Sequence, residues 1–282
     1  MSAPSKIVFW DFDWSLVNEN TDEFVIKKCG DEDLLSEMYT LARTTQWTEL
    51  MDHMLERLHS RFGRTAEDIR IAMSELPIFE HNCKSVKMID RGGIPQCIVS
   101  DSNTVFISNV LESHDGISDV FSTSRWSKLN FLSDASSSGG DEKIVSPIVT
   151  NLAYYDTTGR LRVSPYQNNN FCSRCPANMC KGSIVSSMIS LSQSPNVPGM
   201  LPSRRFERIA YVGDGRNDFC PATLLQDGDY LFVRKGLGLW KLLNSDPEKR
   251  SLIKGVIAEW RDGSELYDLF CRFVSEDYVL DK

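Results

Sequence analysis

The sequence predicts an α/β fold, a parallel sheet flanked by helices with one helical lobe inserted after the first strand. Three observations carry that expectation. Ile7-Val8-Phe9-Trp10 is an unbroken apolar run, the pattern of a strand covered on both faces. Comparable runs return at 95–100, 208–212 and 229–233, spaced far enough apart to be joined by helical crossovers. Between the first two runs, the stretch 23–75 has helical periodicity and little β-branched alternation.

The first strand leads straight into Asp11-Phe12-Asp13-Trp14-Ser15. Carboxylates at the end of a buried strand are costly unless they meet a metal or a hydrogen-bond donor. Asn18-Glu19-Asn20-Thr21-Asp22 reads as a polar turn that also offers a helix cap at Asp22. Leu50, Met51, Met54, Leu55 and Leu58 then recur at helical spacing, and Gly63 breaks the run. Thr65-Ala66-Glu67-Asp68 has the form of a capped helix start, and Pro77 ends the lobe. The strand at 95–100 ends in Ser100-Asp101-Ser102-Asn103, followed by a helix over 104–111 and a weak strand near Val120-Phe121. The segments 133–142 and 194–202, rich in Ser, Gly or Pro, read as surface loops. Residues 153–163 read as a hairpin turning at Thr157-Thr158-Gly159-Arg160. Lys181 opens a helix carrying Ile184, Val185, Met188 and Ile189. The strand at 208–212 ends in the acidic loop Gly213-Asp214-Gly215-Arg216-Asn217-Asp218, and helices near 239–243 and 265–274 follow the last predicted strand.

The 282 residues, 41% of them hydrophobic and 25% charged, suit one large domain or a domain with an inserted lobe. Net charge is −8 with no cluster of Lys and Arg, so a nucleic-acid partner is not expected, and a bound phosphate needs locally supplied positive charge. No apolar run approaches the roughly 18 residues that span a bilayer, and no apolar signal core follows Met1. The expectation is a cytoplasmic protein without a membrane partner. Eight cysteines are too few for a disulfide scaffold at this length. Cys172, Cys175 and Cys180 cluster in sequence without a nearby histidine. A zinc site usually takes four ligands, so these three read foremost as packed reduced thiols or an occasional disulfide, with zinc the lesser alternative.

Three strands thus end in chemistry, and neighbouring parallel strands bring their carboxyl ends to one edge of the sheet. Asp11 and Asp214 are oxygen donors suited to Mg²⁺, which takes one or two carboxylates together with waters and phosphate oxygens. Ser100 and Lys181 offer a hydrogen-bond donor and a positive charge to phosphate.

In this order the residues resemble the haloacid dehalogenase superfamily of phosphatases. Its first motif is matched by Asp11-Phe12-Asp13, its second by Ser100, its third by Lys181 and its fourth by Gly213 through Asp218. A narrower similarity, to the phosphoethanolamine/phosphocholine phosphatases, rests on Val17 through Asp22, on Cys172 through Gly182, and on Asp218-Phe219-Cys220-Pro221. The resemblance implies a Rossmann-like core over 1–20 and 85–282, with a helical cap over 21–84. It implies Mg²⁺ on the Asp11 and Asp214 side chains and the Asp13 carbonyl, with Asp218 behind them orienting Lys181 or a metal-bound water. Asp11 would be the nucleophile, forming an aspartyl-phosphate, and Asp13 the general acid and base. Asp22 and Asp101 would face the amine of phosphoethanolamine or phosphocholine, a small phosphorylated metabolite. Pyridoxal 5′-phosphate, thiamine monophosphate and pyrophosphate are the alternative substrates, and a catalytically silent phosphate-binding regulator is the remote one. Where many members carry Thr two residues after the second Asp, this chain has Ser15, which keeps the hydroxyl.

Overall fold

Strand β1 (Lys6–Trp10) runs through the middle of the protein, with Ile7, Val8, Phe9 and Trp10 all fully buried. Strand alternation divides them between two apolar layers. Val8 and Trp10 join one cluster while Ile7 and Phe9 join the other, so the sheet is covered on both faces. The coordinates, a computed structural model, describe residues 5–114, 116–128, 146–190 and 206–275. The loops expected at 133–142 and 194–202 lie outside these residues.

After β1 a single wide turn, Phe12–Leu16, is closed by Leu16 N–H to the Asp11 carbonyl at 3.3 Å and Val17 N–H to the Phe12 carbonyl at 3.0 Å. Four helices follow: α1 (Thr21–Cys29), α2 (Glu32–Leu41), α3 (Trp47–Ser60) and α4 (Ala66–Ser74). Asn20, rather than Asp22, caps α1, accepting a hydrogen bond from Glu23 N–H. Thr65 caps α4 in a reciprocal box with Asp68, as its sequence predicts. Helix α5 (Glu80–Arg91) continues through residue 84 and lies along the C-terminal helix.

The chain then builds β2 (Gln96–Asn103), α6 (Thr104–Glu112), α7 (Thr123–Lys128), the hairpin β3 (Ile148–Tyr155) and β4 (Leu161–Ser164), and α8 (Lys181–Ile189). It ends with β5 (Arg208–Gly213), α9 (Phe219–Ala222), β6 (Tyr230–Arg234), α10 (Gly238–Ser245), α11 (Pro247–Ser251), β7 (Val256–Trp260) and α12 (Gly263–Val274). Among the described residues the sheet has seven strands in the order β4-β3-β2-β1-β5-β6-β7, parallel except for β4. From β1 the chain first builds β2 and β3 on one side, then returns to lay β5 on the other. This reversal opens a crevice at the carboxyl ends of β1 and β5.

The strand expected near Val120-Phe121 is instead a 3₁₀ turn, Asp119–Phe121. Both side chains enter the same apolar cluster, which the two-residue period of a strand forbids. Strand β7 escapes sequence reading because it is an edge strand, half-buried except at Trp260.

The helical lobe is fastened to the hairpin through one carboxylate. Asp52 of α3 accepts from Arg160 Nη2 at 2.9 Å, Arg162 Nε at 2.9 Å and Val163 N–H at 3.0 Å. Partial burial raises the Asp52 pKa, but the Arg162 and Val163 hydrogen bonds outweigh it and hold the carboxyl below its usual range.

Candidate active site

The wide turn after β1 re-aims the chain so that Asp11 and Asp13 reach one cavity from two directions. Asp11 Oδ1 accepts from Phe12 N–H at 2.7 Å and from Lys181 Nζ at 2.8 Å. Asp13 accepts from Thr21 N–H at 3.1 Å, Thr21 Oγ1 at 3.2 Å and Asn20 Nδ2 at 3.3 Å, so the start of α1 fixes its side chain. The turn forces Trp14 to φ 55°, the one positive φ outside glycine among the described residues. Such a conformation costs roughly 1–3 kcal/mol and persists only where neighbours impose it. Arg234 imposes it here, donating to the Trp14 carbonyl at 2.7 Å with its guanidinium 5.5 Å from the indole centre.

The carboxyl end of β5 supplies Asp214, whose Oδ1 accepts from Ser15 Oγ at 3.3 Å. Asp218 comes back beneath it. Its Oδ1 accepts from Lys181 Nζ at 2.9 Å and Tyr211 Oη at 2.7 Å, and its Oδ2 from the N–H groups of Asp214 and Gly215. A Cβ on Gly213 would stand 2.7 Å from the Asp218 carboxyl carbon, so only glycine admits this approach. With both oxygens engaged, Asp218 holds the loop and Lys181, and Asp11 and Asp214 are left as the carboxylates for a cation.

From β2 come Ser100, 1% exposed, and Asp101, whose carboxylate is held by Asn178 at 3.2 Å and by Asn217. Asp22, on the first turn of α1, accepts from Trp47 Nε1 at 2.6 Å. The cavity, about 260 Å³, is walled by Asp11, Asp13, Asp22, Ser100, Asp101 and Asp214 together with Trp14, Asn20, Trp47, Gly215 and Asn217. Every predicted site residue is therefore at the cavity or directly behind it. Lys181 is the one whose placement differs from expectation, since its ammonium lies behind the cavity wall, bridging Asp11 and Asp218.

The sequence reading missed Thr21, Trp47, Asn178, Tyr211 and Arg234. Thr21 and Asn178 lie within the matched segments 17–22 and 172–182, while Trp47, Tyr211 and Arg234 lie outside every matched motif, and Tyr211 sits in an apolar strand pattern that gives no hint of its hydroxyl.

The electrostatics call for a cation. Burial first, then the Asp218 charge, pushes Asp11 well above its usual range, and the same two causes raise Asp214 to about 7. Of three clustered carboxylates, Asp11 and Asp218 pair with the one ammonium and Asp214 stands within 4.8 Å of both acids. Two hard oxygen donors with spare capacity at the mouth of the cluster suit a divalent ion such as Mg²⁺. Asp11 and Asp214 would hold it, and when bound it would neutralise phosphate charge.

A parallel sheet that delivers these groups from three adjacent strand ends, under a helical lobe, defines a phosphatase of the haloacid dehalogenase superfamily. The chain belongs to the family described as Putative Phosphatase, whose profile matches residues 6–128 and 129–274. Inorganic pyrophosphatase 2 of Arabidopsis thaliana is 30% identical over 96% of this chain and 84% of its own length. The thiamine phosphate phosphatase-like protein of the same plant is 31% identical, covering 95% of each chain. The pyridoxal phosphate phosphatase PHOSPHO2 of Rattus norvegicus is 28% identical over 92% of this chain and 95% of its own. A HAD family hydrolase from Salmonella enterica serovar Typhi shares the fold, with a TM-score of 0.52 at 13% identity over 98% of this chain and 73% of its own. No helix among the described residues is long and apolar enough to cross a membrane.

Removing divalent ions with EDTA is expected to reduce phosphate release to background, and Mg²⁺ to restore it. Ca²⁺ should inhibit, because it takes more ligands at longer distances than this pair of carboxylates sets. Mg²⁺ at about 100 times its Kd should also add about 2.7 kcal/mol of stability, readable as a rise in Tm. Full activity in metal-free protein would refute the assignment.

Proposed function

We propose that the protein hydrolyses phosphomonoesters of small cationic alcohols, phosphoethanolamine and phosphocholine foremost, through an aspartyl-phosphate. The observation that supports this choice is the makeup of the cavity wall. Asp22 and Asp101 share that wall with the nucleophile, Trp14 and Trp47 stand beside them, and no Lys or Arg among the described residues lines it. Carboxylates and aromatic faces in a closed site attract an ammonium group. A second phosphate or a pyridoxal phenolate would meet like charge there, which weighs against pyrophosphate and pyridoxal 5′-phosphate.

In this reading an Asp11 carboxylate oxygen attacks phosphorus in line, and the P–O bond to the alcohol breaks as the new Asp11–phosphorus bond forms. Lys181 compensates the charge of Asp11 from behind. Asp13 gives its proton to the departing alkoxide, then as a carboxylate takes a proton from the water that releases phosphate from Asp11. Its pKa suits the first task, since burial first, and then the charge of Asp22, raises it well above the usual carboxylate range. The helical lobe would cover the site and exclude bulk water.

Thiamine monophosphate is the second reading. It too carries a cation, the tryptophans suit its rings, and a relative is named for thiamine phosphate. A phosphate-release panel decides: phosphoethanolamine, phosphocholine, thiamine monophosphate, pyridoxal 5′-phosphate, pyrophosphate and p-nitrophenyl phosphate, each with Mg²⁺. Highest kcat/KM on a cationic ester supports the proposal, and highest kcat/KM on pyrophosphate or pyridoxal 5′-phosphate overturns it. No turnover of any ester would instead favour a silent phosphate binder.

Asp22→Asn and Asp101→Asn sharpen the test. Each is expected to lower kcat/KM on phosphoethanolamine about 10-fold or more, roughly 1.4 kcal/mol, while changing the p-nitrophenyl phosphate rate far less. Burial raises the Asp22 pKa to about 7 against the Trp47 hydrogen bond. Its contribution to amine preference should therefore grow as pH rises through 7. Equal losses on both substrates would remove Asp22 and Asp101 from amine recognition.

A further inference from the structure

Behind the wall that holds Lys181, four cysteine sulfurs converge. Cys172, Cys175, Cys180 and Cys220 place their Sγ atoms within 4.8 Å of one another, with Cys172 to Cys220 at 3.8 Å and Cys180 to Cys220 at 4.0 Å. The fourth member comes from a different part of the chain, two residues beyond Asp218, which is why the sequence cluster of three looked one ligand short. All four are free thiols. Sulfur pairs at these separations are not bonded to each other, for a disulfide needs about 2.05 Å. Four sulfurs converging on one point from two separate segments are the arrangement that a thiolate-bound metal requires.

We infer that this cluster is a structural zinc site, a closed tetrahedron of four thiolates. Zn–S bonds of about 2.3 Å at tetrahedral angles set neighbouring sulfurs about 3.8 Å apart, close to the separations of Cys220 from Cys172 and Cys180. The surroundings are built for a fixed metal. Asn169 Nδ2 donates to the carbonyls of Cys172, Cys175 and Pro176, while its Oδ1 accepts from Cys172 N–H at 3.1 Å, so one buried amide shapes the whole loop. Cys180 caps α8, and its sulfur accepts from Ser183 N–H at 3.3 Å, the kind of outer hydrogen bond that orients a metal ligand. A Cβ on Gly182 would fall 2.5 Å from Cys220 Sγ, so glycine is required for the two segments to meet. Four protons leave as the ion binds, giving a complex of net charge −2, with no open coordination position for catalysis.

The placement gives the ion a purpose. Cys180 is the residue before Lys181, and Cys220 follows Asp218 by two. The metal therefore staples the start of α8 to the loop carrying Asp218 and sets the Lys181–Asp218 pair from behind. It is a positioning device, and none of its four ligands lines the cavity.

The test is metal content. Protein purified without added zinc and dialysed against EDTA should retain about one zinc per chain by elemental analysis, even when it has lost Mg²⁺. A thiol-blocking mercurial should release that zinc stoichiometrically. Cobalt in its place should show the sulfur-to-cobalt charge-transfer band and intense visible bands of a tetrahedral thiolate site. Cys220→Ser should lose the zinc and Asp214→Ala should keep it, which separates this site from the acidic one. Since the wild-type measurement alone is decisive, a variant that fails to fold does not blunt the test. Absence of zinc from freshly isolated wild-type protein that also declines to bind cobalt, iron in zinc's place, or zinc that disappears in Asp214→Ala but not in Cys220→Ser, would overturn the inference.

Discussion

Asp11→Asn is expected to lower kcat by about 10⁴-fold or more, the scale seen when a covalent nucleophile is removed, while the protein stays folded. The amide matches the carboxylate in shape and keeps an oxygen for Phe12 N–H and Lys181 Nζ, now at Oδ1 alone. It lacks the charge that attacks phosphorus. Stability should move little, because two effects oppose. Lys181 loses one of its two anionic partners, but a carboxyl that burial and Asp218 hold well above its normal pKa no longer has to ionise. Rapid acid quench after incubation with radiolabelled substrate should trap a phosphoryl-protein in the wild type and none in the variant. Retention of more than a few per cent of kcat, or label on the variant, would end the covalent reading.

How much of this was legible in advance depends on whether the information is local. The first strand and its carboxylates could be read because a doubly buried strand must be apolar throughout, and because acids at its end demand an explanation. Lys181 and the Asp214 loop were legible as residue types at the ends of periodic segments. What escaped depends on contacts between segments distant in sequence. Trp47 reaches Asp22 across 25 residues, Arg234 grips the Trp14 carbonyl across 220, and Cys220 completes a sulfur cluster begun at Cys172. None of these pairings follows from spacing. The assignment of Asp22 as a helix cap failed for a local reason, since Asn20 stands two residues earlier and competes for the same amide groups. Helix α5 was overlooked because its buried face is only a narrow stripe, with Val86 and Ile89 its fully buried apolar residues.

Lys181→Met should do more damage to stability than any other single change at the site. The ammonium is 1% exposed and lies 2.8 Å from Asp11 and 2.9 Å from Asp218. Burial alone would lower its pKa, yet Asp11 and Asp218 together drive it above the ordinary lysine value, so the charge is held firmly. Methionine fills nearly the same space without the charge, leaving the carboxylates to repel each other in a site from which water is largely shut out. Removing one partner of a buried pair costs about 3–5 kcal/mol. The loss should depend on pH with a definite sign. Asp22 and Asp214 titrate near 7 in the folded protein against 3.8 for an unperturbed aspartate. The native state therefore binds more protons than the unfolded chain between about pH 4 and 7, and metal-free stability falls as pH rises through that window. Without Lys181 the slope should steepen, so the variant lies nearest to wild type around pH 5 and furthest from it at pH 8. Mg²⁺ should recover part of the deficit by returning positive charge to Asp11 and Asp214. Arginine should not, because a guanidinium is too large and planar for a pocket shaped to an ammonium. Urea melts at pH 5 and 8, with and without Mg²⁺, read all of this. A Lys181→Met protein as stable as wild type at pH 8 would mean that the buried acids are not ionised together, and that Asp11 needs a different source of charge compensation.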